Sequence, residues 1–317
     1  MNKSLYLLAA AACFLILPTA VRGEDIFRFY APPGSLALNT STAFGSQEYL
    51  RFTIEHEGTA VSDWFVTLSR GQAPSFDPRI MSKGADQLIY QVTAEDPPSS
   101  KIIKDTSVAL SSDSVITSSA FNAFAATLEQ QSFDMVVHIP EDQFSAAGEY
   151  LDTMTLSLYT GQPGLPGTHV LADSAMVSFC GRMARLLDIA CERESGITNL
   201  DLTADLTDHL IATVTETSNA DPGYTVTITS MNLAADSAGH SGPYLRHESG
   251  SDTLDYDLAY GGLTVAGWSA GSTLITDSGS ITPAVGTSRG VTITYSGDGT
   301  LSAGRYQDIL TFTIAAK

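Results

Sequence analysis

Along most of the chain, apolar and polar residues alternate with a period of two, in short segments rich in Val, Ile, Thr, Tyr and Phe. Residues 50–54, 64–68, 224–228 and 291–295 are examples, and turn sequences such as Asp221-Pro222-Gly223 separate them. This alternation turns one face of each strand toward a core and the other toward solvent. Many short strands of this kind predict an all-β protein built from immunoglobulin-like β-sandwiches.

One pattern occurs twice in the sequence. Residues 147–158 and 303–314 both read Ala-Gly-x-Tyr-x-Asp, followed by strict alternation of apolar and polar residues. The strand-like segments before them also recur in order: residues 64–68 precede 224–228 by 160 positions, and residues 86–92 precede 252–258 by 166. An offset that drifts only by the length of a loop indicates two copies of one domain.

The two copies continue differently. Residues 170–179 follow the first copy as one more strand candidate, with Ala175, Val177 and Phe179 on one face, whereas only Ala315-Ala316-Lys317 follow the second. We therefore predict a complete front domain over residues 24–180 and a rear domain over residues 181–317 that lacks its last strand.

A sandwich without its last strand exposes unpaired backbone groups and an apolar groove between its sheets. If four or five side chains belong in that groove, their missing burial is worth on the order of 6 to 15 kcal/mol, as much as the whole stability of an ordinary domain. We expect the rear domain to take a strand from another polypeptide. The residues predicted to line the groove are Leu187, Ile189, Leu310, Phe312 and Ile314.

Two further residue types recur within the repeated pattern. We expect the hydroxyls of Tyr150 and Tyr306 to bond to nearby backbone, as in a tyrosine corner. Asp152 and Asp308 are predicted to cap turns rather than to bind a metal.

The first 23 residues have the features of a secretory signal: Lys3, an apolar run over residues 5–17, and small residues before the cleavage position. The run is too short to span a bilayer, and Cys13 lies too deep within it to suit a lipoprotein. Removal of Lys3 and Arg22 leaves 14 basic residues against 35 acidic ones, a net charge of −21. Such a surface repels nucleic acid and anionic membranes, so we expect no nucleic-acid partner.

Two cysteines follow the predicted signal, Cys180 and Cys191. Export places them in an oxidising compartment, and a disulfide closing so short a loop contributes about 2 to 3 kcal/mol. We predict that they pair across the junction of the two domains. Two buried free thiols are the alternative.

Three motifs together resemble those of a known family. They are the repeated closing pattern, the Asp-x-Leu-x-Tyr-x-Leu segment at residues 252–258, and Ser218-Asn219-Ala220 before residues 223–226. They are similar to subunits of archaic chaperone-usher pili, the spore coat protein U-like family, over most of residues 186–317 and more weakly over 24–160. The resemblance implies export through the periplasm to a pilus on the cell surface. It also implies three partners: a periplasmic pilus chaperone that lends a strand, an outer-membrane usher, and an adjacent pilus subunit that donates a strand.

A complete front domain before an incomplete rear one resembles the plan of a two-domain tip adhesin, which receives a strand and donates none. In the alternative, residues 170–179 are a linker and residues 24–37 are a donor segment of a shaft subunit. The tip interpretation predicts that the front domain contacts an unknown surface or host ligand. Phe121 and Phe124 are then candidates for an apolar adhesive loop, with burial of both as the alternative.

Signals for catalysis are weak. Residues 267–271 match the pattern Gly-x-Ser-x-Gly, but no helix-forming segment and no histidine follow it. The histidines lack metal-binding spacing, and no glycine-rich phosphate loop precedes a helix. We predict no enzymatic activity, no metal and no cofactor. The alternative function is a secreted, monomeric carbohydrate-binding β-sandwich that uses Trp64 or Trp268.

Overall fold

The computed structural model describes residues 25–96, 99–118, 121, 128–195, 199–236 and 239–317. The secretory signal predicted over residues 1–23 lies outside this part of the chain. No helix within the described ranges combines the length and apolarity needed to cross a membrane.

Strands account for nearly all of the regular structure in the described ranges. The first group is β1 (Ile26–Ala31), β2 (Ser35–Thr40), β3 (Ser46–Glu57), β4 (Trp64–Leu68), β5 (Arg79–Lys83), β6 (Asp86–Thr93), β7 (Glu129–Ile139), β8 (Gly148–Thr160) and β9 (Val170–Met183). A single 3-10 turn over Ser112–Ser114 lies between β6 and β7.

A second group of strands follows. It comprises β10 (Leu187–Arg193), β11 (Leu206–Ser218), β12 (Tyr224–Ser230), β13 (Tyr244–His247), β14 (Thr253–Asp255), β15 (Asp257–Tyr260), β16 (Leu263–Thr264), β17 (Thr273–Ser278), β18 (Thr287–Tyr295), β19 (Tyr306–Gln307) and β20 (Leu310–Ala316). A one-turn helix, α1 (Met231–Ala234), follows β12.

Strand pairing separates these two groups. Strands β1 to β9 form one sheet in the order β1-β3-β7-β6-β5-β8-β9-β2, with β4 also paired to β8. Strands β10 to β20 form three sheets, in the orders β10-β11-β18-β15-β16, β17-β12-β20 and β14-β13-β19. We call β1 to β9 the front unit and β10 to β20 the rear unit. The predicted all-β sandwich class is confirmed.

Alternation along the strands builds a separate core in each unit. In β8, every second residue from Tyr150 to Leu158 is buried, and the residues between them are exposed or half-buried. The front core includes Trp64, Phe121 and Phe179, and the rear core includes Tyr256 and Tyr260. Period-two patterning in the sequence therefore corresponds directly to inward and outward faces.

The buried side chain of Asn219 bonds to both units, and Lys83 of the front unit forms an ion pair with Asp221 of the rear unit. The amide nitrogen of Asn219 donates to the carbonyls of Ser145 (3.1 Å) and Ala184 (2.9 Å), while its oxygen accepts from the Leu186 backbone N–H (2.6 Å). Asn219 is fully buried, and its three bonds hold both ends of the connection between β9 and β10. The predicted domain boundary after residue 180 falls inside β9, which continues to Met183.

The predicted disulfide is wrong, since Cys180 and Cys191 are both free thiols. Cys180 lies in β9 opposite Leu151, whereas Cys191 lies in β10 opposite Val214, so each residue is fixed in a different sheet. Cys180 is half-buried on the outward face of β9, whereas Cys191 is exposed although it shares a strand face with Leu187 and Ile189. The alternative of two buried thiols is therefore wrong about burial.

The segment after β8 is a strand rather than a linker. β9 pairs antiparallel with β8 from Val170 to Met183. The alternative donor segment at residues 24–37 also lies within the front unit, because β1 pairs with β3 and β2 pairs in parallel with the end of β9. Both edges of β8 are thereby occupied, by β9 on one side and by β4 and β5 on the other.

Candidate functional site

The closing strands of the two units have the same neighbours on one edge only. β4 pairs with β8 from Trp64–Thr160 to Leu68–Leu156, and β12 pairs with β20 from Tyr224–Ala316 to Ser230–Leu310. These pairs keep the offsets of the sequence repeat, so β20 is the counterpart of β8. On its other edge β8 carries β9, whereas β20 pairs only with β12 in the described part of the chain.

The backbone groups at this open edge can be identified. Within a strand, the N–H and C=O of one residue point to the same edge, and successive residues alternate between edges. The Lys317 N–H donates to the Gly223 carbonyl, which continues the β12–β20 pairing. The odd-numbered residues of β20 therefore face β12, and Leu310, Phe312 and Ile314 present their backbone groups to the open edge.

The side chains of β20 are exposed where those of β8 are covered. Met154, Leu156 and Leu158 of β8, which pairs with β9 in the same sheet, are at most 1% exposed. Their counterparts 156 positions later, Leu310, Phe312 and Ile314, are all only half-buried. The three residues predicted for β20 thus face inward. The two copies differ in that β8 has a neighbouring strand on this edge and β20 has none among the described strands.

A cavity of about 560 Å³ opens beside Leu310 at the start of β20, and neither Phe312 nor Ile314 lines it. We call it, together with the open edge of β20, the groove. Its lining residues are Leu200, Leu202, Ile211, Leu245, Tyr256, Ile293, Gly304, Arg305, Tyr306, Gln307, Asp308 and Leu310. It therefore combines an apolar wall with Tyr306 and Asp308, the tyrosine and the aspartate of the repeated Ala-Gly-x-Tyr-x-Asp pattern.

Leu187 and Ile189 lie on β10, which approaches β20 across the two sheets. Both are half-buried, and Ile189 packs against the rear core. β10 pairs with β11 along one edge alone among the described strands. The assignment of Leu187 and Ile189 to the opposite side of the groove stays a prediction.

A buried acid–tyrosine network is repeated in both units. Tyr90 donates to Oδ2 of Asp152 at 2.6 Å, and Tyr256 donates to Oδ2 of Asp308 at 2.7 Å. The backbone N–H groups of Gln72 (3.0 Å) and Asn232 (3.1 Å) donate to the corresponding Oδ1 atoms. Both aspartates thus serve as turn acceptors, as predicted.

The tyrosine corners are also present in both units. The Tyr150 hydroxyl donates to the Ala146 carbonyl at 2.7 Å, and the Tyr306 hydroxyl donates to the Ser302 carbonyl at 3.1 Å. Both bonds reach back four residues, as expected for this motif. Tyr150 is fully buried, whereas Tyr306 is half-buried at the mouth of the groove.

Burial sets the ionisation of these tyrosines. Desolvation raises the pKa of Tyr150 to about 12, and it raises the pKa of Tyr90, with the Asp152 charge adding to the effect. In the rear unit, desolvation also raises the pKa of Tyr224 to about 12, together with its hydrogen bond to Glu216. These hydroxyls stay protonated in the folded chain well above pH 10.

We predict that the protein loses stability between pH 10 and about pH 12. Unfolded tyrosines ionise near pH 10, whereas Tyr150 and Tyr224 keep their protons to about pH 12. Because the unfolded state then binds fewer protons at these tyrosines, their contribution to stability is constant below pH 10 and falls above it. Urea midpoints at pH 8, 10 and 11.5 measure this fall. A urea midpoint that stays unchanged from pH 8 to pH 11.5 would contradict it.

Glu216 is a buried acid that the sequence did not reveal. It is fully buried and accepts hydrogen bonds from the hydroxyls of Tyr260 (2.6 Å), Thr276 (2.8 Å) and Tyr224 (2.9 Å). Arg289 lies 3.3 Å from the same carboxylate. Its position at an inward site of the alternating β11 was the available signal, because an acid there requires buried partners.

The predicted adhesive loop is corrected in part. Phe121 is fully buried and packs against Trp64, Phe27 and His56, with ring centroids 5.4 to 5.6 Å apart. A side chain without exposed surface offers no contact to a ligand, so burial was the correct alternative for Phe121. Phe124 lies outside the described residues.

The two tryptophans form no shared binding surface. Trp64 is buried in the front core, and Trp268 packs against the rear core with its indole N–H bonded to the Val265 carbonyl at 3.1 Å. Trp64 and Trp268 therefore do not together form the concave aromatic site that the carbohydrate-binding alternative requires. Both are explained by packing within their own units.

The Gly-x-Ser-x-Gly match does not form a nucleophile elbow. Ser269 is followed by β17, a strand, whereas the elbow requires a helix at that point. Its hydroxyl lies 3.4 Å from the Ser272 carbonyl rather than beside a histidine. Over the described ranges, no three His, Cys, Asp or Glu residues are grouped in a way that would hold a metal ion.

No protein-family model matches the chain, and no curated protein matches it. Solved structures similar to it include the CsuC–CsuE chaperone–tip adhesion subunit complex from archaic chaperone-usher Csu pili of Acinetobacter baumannii. The sequence identity is 12%, the match covers 89% of this chain and 98% of that chain, and the TM-score is 0.38. Another is a chaperone–tip adhesin complex of CFA/I fimbriae, with 10% identity, 90% and 97% coverage, and a TM-score of 0.39. Such identities and TM-scores assign no family to this chain.

Proposed function

We propose that this protein is a structural and adhesive subunit of a chaperone-usher pilus, whose rear unit accepts a β-strand from another polypeptide. The observation that carries the proposal is the contrast between two equivalent strands. The inward side chains of β8 are fully buried where β9 pairs with its edge, while the same positions of β20 are half-buried and the corresponding edge is open. An open edge with an apolar groove is the geometry that strand addition uses.

The front unit has the complementary property. Its closing strand is already covered by β9, and both edges of β8 are paired. It therefore offers no equivalent groove beside β8. We propose two tandem domains of one ancestry, the front one complete and the rear one an acceptor. An acceptor that gives no strand belongs at the tip of a fibre, where the front unit would meet a surface or host ligand.

Export of the full chain together with the periplasmic chaperone and outer-membrane usher of an archaic pilus system tests the proposal. We expect a one-to-one complex with the chaperone by light scattering, with slowed hydrogen exchange over residues 310–316. We also expect antibody against the front unit to label fibre ends. A chain that stays monomeric, exchanges these amides equally fast with and without chaperone, and labels no fibre would exclude the function.

The substitution Ile314→Arg is expected to lower the yield of the chaperone complex at least tenfold. Ile314 is half-buried in the groove, and a strand laid over it would force the guanidinium out of water, which is costly without a partner. Thr313→Arg is the matched control, because Thr313 is exposed on the opposite face of the same strand. Its yield should stay within about twofold of the parent chain. Equal losses for the two variants would contradict the assignment of the groove.

A further inference from the structure

The front unit shows what a strand in the groove must look like. From Gly148 to Leu158, β8 pairs with β9 in an unbroken register in which Tyr150 lies opposite Gly181, Asp152 opposite Phe179, and Met154 opposite Val177. Adding the repeat offset of 156 converts the β8 positions to Tyr306, Asp308 and Leu310, all of which line the groove. Each position of an incoming strand therefore has a known counterpart in β9.

The position opposite Asp308 calls for an aromatic side chain. In the front unit, Phe179 packs edge-on against Tyr90 at a centroid distance of 5.7 Å, and Tyr90 bonds to Asp152. The counterpart of Tyr90 is Tyr256, which bonds to Asp308 and lines the cavity. Tyr256 therefore lines a cavity, whereas its counterpart Tyr90 is in contact with Phe179.

The position opposite Tyr306 calls for glycine. A Cβ on Gly181 would lie 2.7 Å from Leu88 Cδ2 and 2.9 Å from Met81 Sδ, so the ends of both side chains would have to shift to admit it. The pairs Met81–Leu88 and Leu245–Leu254 occupy the same place in their sheets. Leu245 and Leu254 therefore stand where the two blocking side chains stand in the front unit.

The outward position before the repeated tyrosine carries opposite charges in the two units, Glu149 in the front unit and Arg305 in the rear unit. In the front unit, Arg182 of β9 lies opposite Glu149 and pairs with it at 3.0 Å. The counterpart of Glu149 is Arg305, an exposed residue of the groove that has no ion pair within the described ranges. A strand carrying an acidic residue at the Arg182 position would complement Arg305, whereas a copy of β9 itself would bring two arginines together.

We propose that the groove selects a strand that runs antiparallel to β20, with an aliphatic residue opposite Leu310, an aromatic residue opposite Asp308, glycine opposite Tyr306 and an acidic residue opposite Arg305. The inference rests on the proposed acceptor function and adds its selectivity. The partner is thereby defined by chemistry as an extended segment of another polypeptide, and the charge at one position disfavours β9 of a second copy of this chain.

The test joins a copy of residues 161–183 to Lys317 of the full chain, so that the natural β8–β9 loop delivers the copied strand to β20. All fusions carry Cys180→Ser in the copy, and Trp64→Phe in the parent so that Trp268 alone reports on the rear unit. Four copies are compared: Arg182→Glu, Arg182 retained, Arg182→Glu with Gly181→Val, and Arg182→Glu with Phe179→Ala. Urea midpoints and hydrogen exchange of residues 310–316 are measured for each.

We expect the Arg182→Glu copy to raise the urea midpoint of the rear unit by at least about 1 M relative to the parent. The copy that retains Arg182 should give a smaller increase, and the difference should shrink in 0.5 M NaCl because exposed pairs are screened. The Gly181→Val and Phe179→Ala copies should lose at least half of the increase, through overpacking and through an unfilled cavity.

Two kinds of failure are distinguishable. If copies stabilise the rear unit but Gly181→Val matches its parent copy, or retained Arg182 matches Glu at low salt, the selectivity is wrong and the acceptor function stands. A fifth fusion, whose copy carries the same residues in reversed order, should give no increase, and equal stabilisation by it would contradict the proposed order of residues along the strand. If no copy changes either the midpoint or the exchange of residues 310–316, the groove takes no strand and the proposed function fails as well.

Discussion

Replacing Asp152 with alanine is expected to lower the free energy of unfolding of the front unit by about 3 to 5 kcal/mol. Asp152 is fully buried and accepts bonds from the Tyr90 hydroxyl and the Gln72 backbone N–H. Alanine removes the carboxylate acceptor of both donors, and it leaves the fully buried Tyr90 hydroxyl with only the Met154 sulfur at 3.2 Å as a partner. It also removes a negative charge that favours the buried Arg79, whose pKa burial lowers to about 10. A buried donor or charge without its partner costs far more than the bond was worth.

Urea unfolding followed by Trp64 fluorescence in a Trp268→Phe background measures this loss. Asp152→Asn is the matched control, because the amide keeps an acceptor oxygen for the backbone N–H groups while losing the charge. We expect it to cost less than the alanine variant. A loss below about 1 kcal/mol for Asp152→Ala would show that the repeated acid–tyrosine network contributes little to the fold.

Replacing Glu216 with alanine is expected to destabilise the rear unit by a similar amount, about 3 to 5 kcal/mol. The carboxylate collects three hydroxyl donors and Arg289 at a fully buried position. Its removal leaves the hydroxyls of Tyr224, Tyr260 and Thr276 without an acceptor. Because Tyr260 stacks on Phe312 of β20 at 5.9 Å, the disturbance reaches the wall beside the groove.

The loss in the rear unit is read from Trp268 fluorescence in a Trp64→Phe background. Thr276→Val is the control, since it removes one donor and leaves the acid with its other partners, at an expected cost of about 1 kcal/mol. If Glu216→Ala and Thr276→Val unfold at the same urea concentration, the acid is not the centre of the network. Stability equal to that of the parent chain would contradict the argument altogether.

Much of the strand arrangement followed from local pattern, because period-two alternation fixes which face of each strand is buried. The inward positions of β20 and the turn bonds of Asp152 and Asp308 were predictable from the repeat alone. The extra strand at residues 170–179 was also recognisable from Ala175, Val177 and Phe179. It extends to Met183, and the end of a strand is set by pairing with neighbours that the sequence does not locate.

The errors came from contacts between distant segments. Cys180 and Cys191 are close in sequence, but the sheets to which β9 and β10 pair hold them apart as free thiols. Phe121 stood in an Ala- and Ser-rich stretch that suggested a loop, yet it bridges to Val61 and enters the front core. Glu216 was missed because its partners lie on four other strands. A local sequence pattern does not show which distant residues are in contact.

The junction at Asn219 has a mechanical consequence. Its side chain clamps the short connection after β9 to the end of the front unit. Tension applied between the two units therefore enters β9 along its own axis, and the long ladder to β8 resists it in shear. Bonds loaded in shear must break together, whereas bonds that are peeled open break one by one. We expect the force needed to separate β9 from β8 by pulling on the linkage to exceed the force needed to peel the same two strands apart from one end.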